Sequence, residues 1–209
     1  MDGVFMYKFL KRLFICAAIA LLCWSLGILS DRQELSKGLI RFHVVANSDS
    51  EEDQNIKLQI RDAVLESIQS DLKNIGDINA AKEYICENLP RIQNVANAAL
   101  EQLSVKQRAE VSFCKEAFDV RHYDTFSLPA GVYDSLRIII GDGEGHNWWC
   151  VAFPALCLPA TGDGFTAVAA DAGLSVRLTN TISSGENCQI RFVLLDKLGE
   201  IQNSLRKEK

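Results

Sequence analysis

Long basic runs are missing from this chain, in which no stretch of lysine and arginine exceeds two residues. Its 209 residues contain 22 basic and 27 acidic side chains, which gives a formal net charge of −5. Three of the basic side chains lie within the first 30 residues, so the remainder is more acidic still. A protein that neutralises nucleic-acid phosphates needs the opposite balance. The composition therefore argues against nucleic acid as a partner.

The usual phosphate and metal motifs are missing as well. The glycine-rich run from Gly141 to Gly145 is followed by no lysine and contains two acids that would repel phosphate. His146, Cys150 and Cys157 have a spacing that matches no common short-spaced zinc framework. The acids from Asp49 to Asp53 lack the central glycine and distal glutamate of a calcium loop. The sequence therefore predicts no cofactor and no metal.

A catalytic thiol is the one enzymatic alternative that the sequence leaves open. His146 and Cys150 could act as base and nucleophile, but on an extended strand they would stand about 13 Å apart. They could meet only across a turn, so we expect no catalytic residues. The flexible glycine loop could bring His146 to another thiol, and an exported thiol- or His-dependent cell-wall hydrolase remains the alternative.

The N-terminus has the pattern of an export signal or membrane anchor. Lys8, Lys11 and Arg12 precede an apolar run from Leu13 to Leu29 that only Ser25 and Gly27 interrupt. By the positive-inside rule, the rest of the chain should lie outside the cytoplasm. We expect residues 1–30 to be a signal peptide or anchor, residues 31–38 a polar spacer and residues 39–209 a single domain, with membrane contact only through the N-terminal segment.

Hydrophobic periodicity predicts a strand and two helices after the spacer. Leu39 to Ala46 alternates as a strand, and a helix should follow to about Ile75 with Ser48 and Glu51 as its capping box. Asp53 and Lys57 are four apart and should pair on its solvent side. Gly76 and Asp77 should end that helix and cap a second one, which Pro90 kinks or divides. The two helices should form an antiparallel hairpin.

The second half of the chain alternates in the manner of strands. The predicted elements are strands at Glu110 to Phe118, Tyr133 to Ile140, Trp148 to Phe153 and Gln189 to Leu195, with a short helix in 165–182. The glycine loop should join the second and third of these strands as a hairpin. The predicted fold class is α+β: a strand, a helical hairpin and a mostly antiparallel sheet.

The glycine loop leads into the most distinctive segment, His146-Asn147-Trp148-Trp149-Cys150. Adjacent strand residues point to opposite faces, so one indole can enter the core while the other meets a second layer, a partner or solvent. Aromatic anchors dominate binding hot spots, although both indoles could equally be core. In an exported chain, Cys150 and Cys157 are the expected disulfide, since Pro154 could reverse the chain between them; two reduced thiols are the alternative.

Two blocks of the chain resemble the stage II sporulation protein R family of endospore-forming bacteria. The first is Leu39 to Lys57, containing Ala-Asn-Ser-Asp-Ser, and continues through Ile60 to Val64. The second contains Phe126 to Tyr133, Leu136 to Gly141 and Gly145 to Cys157 with its Asn-Trp-Trp-Cys sequence. The family's usual Phe-Pro-Thr-Lys-Thr-Tyr-Gly run is not kept at 118–125, and residues 160–188 match little. The motif positions are Asn47, Ser48, Asp49, Asp53, Pro129, Gly131, Tyr133, Gly141 and Gly145.

The resemblance implies a signalling protein and not an enzyme. Such proteins are made in the forespore and exported into the space between the forespore and mother-cell membranes. There they activate a membrane-embedded aspartic protease of the mother cell from its extracytoplasmic face, and the protease then processes pro-sigma-E. We expect His146, Asn147, Trp148 and Trp149 to form the partner-binding surface, while Asn47, Ser48 and Asp49 hold the strand–helix junction.

Overall fold

The computed structural model describes residues 3–123 and 127–154, which form an α+β fold. Three predicted features therefore lie outside the described residues: Cys157, the strand at Gln189 to Leu195 and the helix in 165–182. The described helices are α1 (Gly3–Gly38), α2 (Glu51–Lys73) and α3 (Ile78–Gln102). The described strands are β1 (Ile40–Val45), β2 (Ala109–Phe118), β3 (Arg121–His122), β4 (Ser127–Leu128), β5 (Gly131–Ile140) and β6 (Asn147–Phe153).

The main sheet has the strand order β2-β5-β1-β6, with β3 and β4 forming a separate pair. β2 runs antiparallel to β5 and β6 antiparallel to β1, while the central pair β1–β5 is parallel. The predicted hairpin between β5 and β6 is therefore wrong, because β1 lies between them. Every residue of β1 is buried, as expected for a strand with neighbours on both sides.

The helical hairpin α2–α3 covers one face of this sheet, as predicted. Alternate residues of β1 and β5 point toward the helices, and the helices contribute apolar residues at helical spacing. The resulting core contains Phe42, Val44, Leu136, Ile138, Ile60, Val64, Ile85 and Ile92, all fully buried. We call the helix-covered side the first face of the sheet.

The structure confirms the predicted N-terminal cap of α3 but places the cap of α2 at a different residue. Asp77 caps α3 as predicted, accepting hydrogen bonds from two backbone N–H groups of the first turn. α2 is capped by Ser50, whose hydroxyl accepts from the backbone N–H of Asp53, so the predicted Ser48–Glu51 box is displaced by two residues. The predicted and the observed cap use the same chemistry, in which a serine hydroxyl accepts a hydrogen bond from the backbone N–H three residues later. Pro90 lies inside α3, which continues through it as one helix.

The second face of the sheet packs against the end of α1. Residues 31–38, predicted as a spacer, are helical, and Leu35 and Leu39 are buried with Phe118, Tyr133 and Val151. In the N-terminal part of α1, large apolar side chains are exposed, including Phe14, whose exposed fraction is 77%. Within the described chain, no helix combines the length and apolar content that a membrane span requires. The signal or anchor role of residues 1–30 stays a prediction.

Candidate partner-binding site

The two motif blocks, distant in sequence, meet at one edge of the sheet. The loop of residues 141–146 leaves β5, crosses the end of β1 and enters β6 on the far side. On the way, the backbone N–H of Gly145 donates to the carbonyl of Ala46 at 3.0 Å, and that of Glu144 donates to the carbonyl of Asn47 at 3.1 Å. The strand–helix junction and the glycine loop therefore form one structural unit, which we call the junction surface.

Asn47 is the central link of the junction surface. Its side-chain oxygen accepts from the backbone N–H of Asp142 at 3.1 Å, and its amide nitrogen donates to the carboxylate of Asp53 at 2.9 Å. The Ser48 hydroxyl donates to the same carboxylate oxygen at 2.5 Å. Asn47 and Ser48 thus lie between the end of β1 and the first turn of α2. One half-buried side chain thus ties the loop to the first turn of α2.

Two glycines of the loop are needed because other atoms occupy the space of a side chain. Gly141 has a φ of +58°, and a β-carbon there would stand 2.1 Å from the Asn47 side-chain oxygen. A β-carbon on Gly145 would stand 2.2 Å from the Ser48 carbonyl oxygen. Both distances are far below van der Waals contact. Glycine at these positions is what allows the two motif blocks to touch.

Lys57 is a member of the site that the sequence interpretation missed. It is only 5% exposed, and its ammonium group donates to the carbonyl oxygen of His146 at 2.9 Å, which anchors the far end of the loop to α2. Burial lowers the pKa of Lys57. The predicted solvent-side pair of Asp53 and Lys57 is wrong, since Lys57 turns toward the sheet. Its position three residues before Ile60 puts it beside the apolar stripe of α2, and this was the available signal.

His146 and Asp49 form the exposed part of the junction surface. Their side chains are 77% and 55% exposed, and His146 Nδ1 contacts the carboxylate of Asp49. The backbone N–H of His146 donates to the same oxygen at 2.6 Å. These hydrogen bonds from His146 lower the pKa of Asp49. The pair fixes the loop in place while leaving the outer edge of the imidazole, and the exposed neighbour Asn147, free for a partner.

The two tryptophans lie on opposite faces of the sheet, as the alternation predicted, and both are half-buried. Trp148 packs against the helix-covered core, with the Arg61 guanidinium 4.3 Å from its ring centre. Trp149 lies on the second face, where it stacks on His43 with ring centres 5.7 Å apart. The Arg121 guanidinium stands 3.6 Å from the Trp149 ring centre. Each indole therefore combines packing with a cationic neighbour.

The remaining motif positions are structural and lie away from the loop. Tyr133 is fully buried near the start of β5, and its hydroxyl donates to the carbonyl of Pro129 at 2.7 Å. A β-carbon on Gly131 would stand 3.1 Å from the Tyr133 ring. Pro129, Gly131 and Tyr133 lie at or before the start of β5, whereas the glycine loop leaves its other end. These three residues therefore take no part in the junction surface.

Cys150 is buried and disulfide-bonded. Its partner lies outside the described residues, so the pairing with Cys157 stays a prediction. A disulfide sulfur is no thiolate nucleophile, which removes Cys150 from the hydrolase alternative. Among the residues that the structure describes, no group of three or more His, Cys, Asp or Glu side chains is arranged to hold a metal ion.

Asp53 should make the junction acid-sensitive. Hydrogen bonds from Ser48 and Asn47 lower the pKa of Asp53 below its ordinary 3.8. A carboxylate with a lowered folded-state pKa contributes stability that is present above the unfolded-state value and lost as pH falls through the folded-state value. Urea unfolding measured from pH 7 to pH 3 should therefore show the free energy of unfolding decreasing below about pH 4. In Asp53→Asn the decrease should be shallower, and an unchanged slope would contradict this role.

Comparison with known proteins identifies relatives of this chain. The family model for stage II sporulation protein R matches residues 36–162. A protein named stage II sporulation protein R from Bacillus subtilis (strain 168) is 42% identical over 118 residues, which is 56% of this chain and 53% of the relative. The alignment thus spans about half the length of that relative. No solved structure matches the chain.

Proposed function

This chain belongs to the stage II sporulation protein R family, and we propose that it is an exported signal that activates a membrane-embedded aspartic protease of the mother cell. Activation triggers proteolytic processing of pro-sigma-E. The protein acts in the space between the forespore and mother-cell membranes, as a ligand and not as an enzyme. Family membership and the named relative support a role in sporulation; the protease, the location and the mode of action are the proposal.

The junction surface is the observation that carries the proposal. It joins both family motif blocks through direct hydrogen bonds, and it displays the exposed side chains of Asp49, His146 and Asn147 beside two half-buried tryptophans. Rigid aromatic side chains next to exposed polar groups are typical of protein-binding hot spots. Cys150 is disulfide-bonded and so supplies no thiolate nucleophile beside His146. A recognition surface fits this arrangement better than an active site.

The disulfide supports an extracytoplasmic location. Disulfides persist in oxidising compartments and are rare in the cytosol, where thiols are kept reduced. Cys150 lies directly after the tryptophan pair in β6, so its disulfide restrains the strand that carries the recognition residues. A restrained surface loses little conformational freedom when a partner binds.

Activation follows from differential binding. An aspartic protease must pair two aspartates, and in this proposal they come together across a dimer of the membrane protein. A ligand that binds the paired arrangement more tightly than the unpaired one shifts the population toward it. A hundredfold difference in affinity shifts that equilibrium by about 2.7 kcal/mol. The junction surface would supply this difference without contributing any catalytic group.

Reconstitution in a non-sporulating host tests the function. Residues 1–209 are exported together with the candidate protease and its sigma precursor, and the size of the precursor is followed. We expect cleavage only when all three are present. A chain lacking residues 1–30 stays in the cytoplasm and should give none. Absence of cleavage despite confirmed export and a competent protease would contradict the signalling function, and cleavage by the unexported chain would contradict the location.

A further inference from the structure

The second face of the sheet has an unusual set of side chains around Trp149. At positions where a sheet normally packs apolar residues, it carries Arg41, His43, Glu116 and Arg137. Arg41 is fully buried and His43 is 6% exposed. Charged residues are almost never fully buried unless they are paired. We call these four residues, together with Trp149 and the Arg121 that lies over its ring, the polar cluster.

Hydrogen bonding satisfies this cluster only in part. His43 Nδ1 and the Glu116 carboxylate are 2.9 Å apart, and Arg41 donates to the Cys150 carbonyl at 3.1 Å and to the Tyr123 hydroxyl at 2.8 Å. Two other atoms of the cluster, Arg41 Nη1 and His43 Nε2, are buried without a hydrogen-bond partner in the structure as described. Arg137 Nε also lacks a hydrogen bond and has an ion pair with the Glu116 carboxylate at 3.8 Å. Buried polar groups left in this way cost free energy and call for an explanation, such as a bound group.

The charges around the polar cluster indicate which kind of group could bind there. The Arg121 guanidinium lies over the Trp149 ring, Arg41 lies over Phe118, and Arg137 pairs with Glu116 at 3.8 Å. Glu116 in turn contacts His43, which stacks on Trp149. Burial raises the pKa of Glu116, but the hydrogen bond with His43 and the nearby charges outweigh burial and hold that pKa below its ordinary value. Glu110, exposed opposite Ile139, is a second carboxylate on this face. Among the described residues, three guanidinium groups therefore stand with two carboxylates, within a chain whose net charge is −5. Guanidinium groups match carboxylates in charge and in planar geometry.

The cluster is reachable from solvent on one side. The side chain of Arg137 is 37% exposed, and Ile139 and, across His43 of β1, Trp149 are half-buried on the same face. The apolar indole, with the half-buried Arg121 guanidinium against it, provides contacts for a polypeptide that a free ion would not use. Because Trp149 follows His146 and Asn147 along β6, this opening continues directly from the junction surface.

We propose that the polar cluster binds an acidic, extended peptide segment, with a carboxylate of that segment held by Arg137 and Arg121 and its chain lying against Trp149. The inference rests on the proposed function for the source of the segment, which would be an extracytoplasmic part of the protease. The binding itself is a property of this chain and can be measured without the protease.

Peptide binding by fluorescence anisotropy tests the proposal. The full 209-residue chain, kept in nonionic detergent because α1 exposes apolar residues, is titrated into a fluorescein-labelled tetraglutamate peptide and a matched tetraglutamine peptide. We expect saturable binding of the glutamate peptide and at least tenfold weaker binding of the glutamine peptide. Arg137→Gln should weaken glutamate binding at least tenfold. Lys115→Gln should change it less than twofold, since Lys115 is on the same sheet but pairs with Asp134 on the opposite face.

The outcomes separate this inference from the signalling function. Equal binding of both peptides, no saturation, or an equal loss in Lys115→Gln and Arg137→Gln would overturn the carboxylate site. If Arg137→Gln fails to fold by circular dichroism, Arg121→Gln takes its place with the same expectation. Peptide binding without precursor cleavage in the reconstitution would support the site and contradict only the proposed function. Cleavage that survives Arg137→Gln at full rate, with no peptide binding in the wild type, would contradict only the site.

Discussion

Replacing Gly145 with alanine is expected to lower the free energy of unfolding by about 2–3 kcal/mol, the range of a forced overpacking in a fixed backbone. The added β-carbon would lie 2.2 Å from the Ser48 carbonyl oxygen and 2.9 Å from the β-carbon of Ala46, neither of which can turn away. The loop must move off β1, and the hydrogen bond from Gly145 to Ala46 should weaken with it. Urea unfolding of the full chain measures the loss.

Gly76→Ala is the matched control. Gly76 is exposed between α2 and α3, and a β-carbon there would meet nothing within 4 Å. The substitution should be neutral or stabilising by about 0.4–1 kcal/mol, because alanine restricts the unfolded chain. Equal stabilities of the two variants would show that the loop is not held against the junction as described.

The double variant His146→Ala, Asn147→Ala should reduce precursor cleavage in the reconstitution at least tenfold. Both side chains are exposed, so their removal leaves the cores unchanged. The loop keeps its backbone anchors, from His146 N–H to Asp49 and from Lys57 to the His146 carbonyl, so the substitution acts mainly on partner contact. A tenfold loss corresponds to about 1.4 kcal/mol of binding free energy, which is less than the roughly 2 kcal/mol that a single hot-spot residue contributes. The precursor-to-product ratio at matched export levels gives the measurement.

Glu87→Ala is the control for this effect, since Glu87 is exposed on α3 and lies outside the junction surface. It should leave cleavage unchanged. If the double variant cleaves as well as the wild type while Glu87→Ala does not, the recognition surface lies on the helical hairpin. The tryptophans are a less selective test. Trp148→Ala and Trp149→Ala should abolish signalling but also remove packing, and loss of folding in both would favour the core interpretation.

Periodicity was sufficient to place most elements of the described chain. The alternation of Phe42 and Val44 predicted β1, and the apolar stripes through Ile60 and Ile85 predicted α2 and α3, because each pattern has one buried side. Asp77 was recognisable as a cap since its carboxylate precedes an apolar-periodic run. These are local signals, and local chemistry is enough to produce them.

The connectivity of the sheet could not be predicted in the same way. The glycine-rich loop has the composition of a hairpin turn, but composition does not show whether a third strand lies between the two that it joins. Here β1 occupies that place. Its sequence includes Arg41 and His43, and both are buried through contacts with Cys150, Tyr123 and Glu116. Partners so distant in the sequence leave no local pattern from which this burial could be predicted.

The sequence motifs pointed to some residues of the junction surface and missed Lys57. The motif blocks identified Asn47, His146 and the tryptophans, and the structure brings the two blocks together. Lys57 was assigned to solvent because an i, i+4 pair with Asp53 is the common arrangement on a helix. The carbonyl of His146 competes for its ammonium group, and only the folded loop places that carbonyl there.

Photocrosslinking from the junction surface tests the central claim most directly. A photoreactive amino acid is placed at position 147 of the exported chain, and another at position 87 on α3, in cells that contain the protease. The account predicts a crosslink to the protease from position 147 and none from position 87. A crosslink from position 87 alone, or none from position 147 under conditions in which the precursor is cleaved, would contradict it.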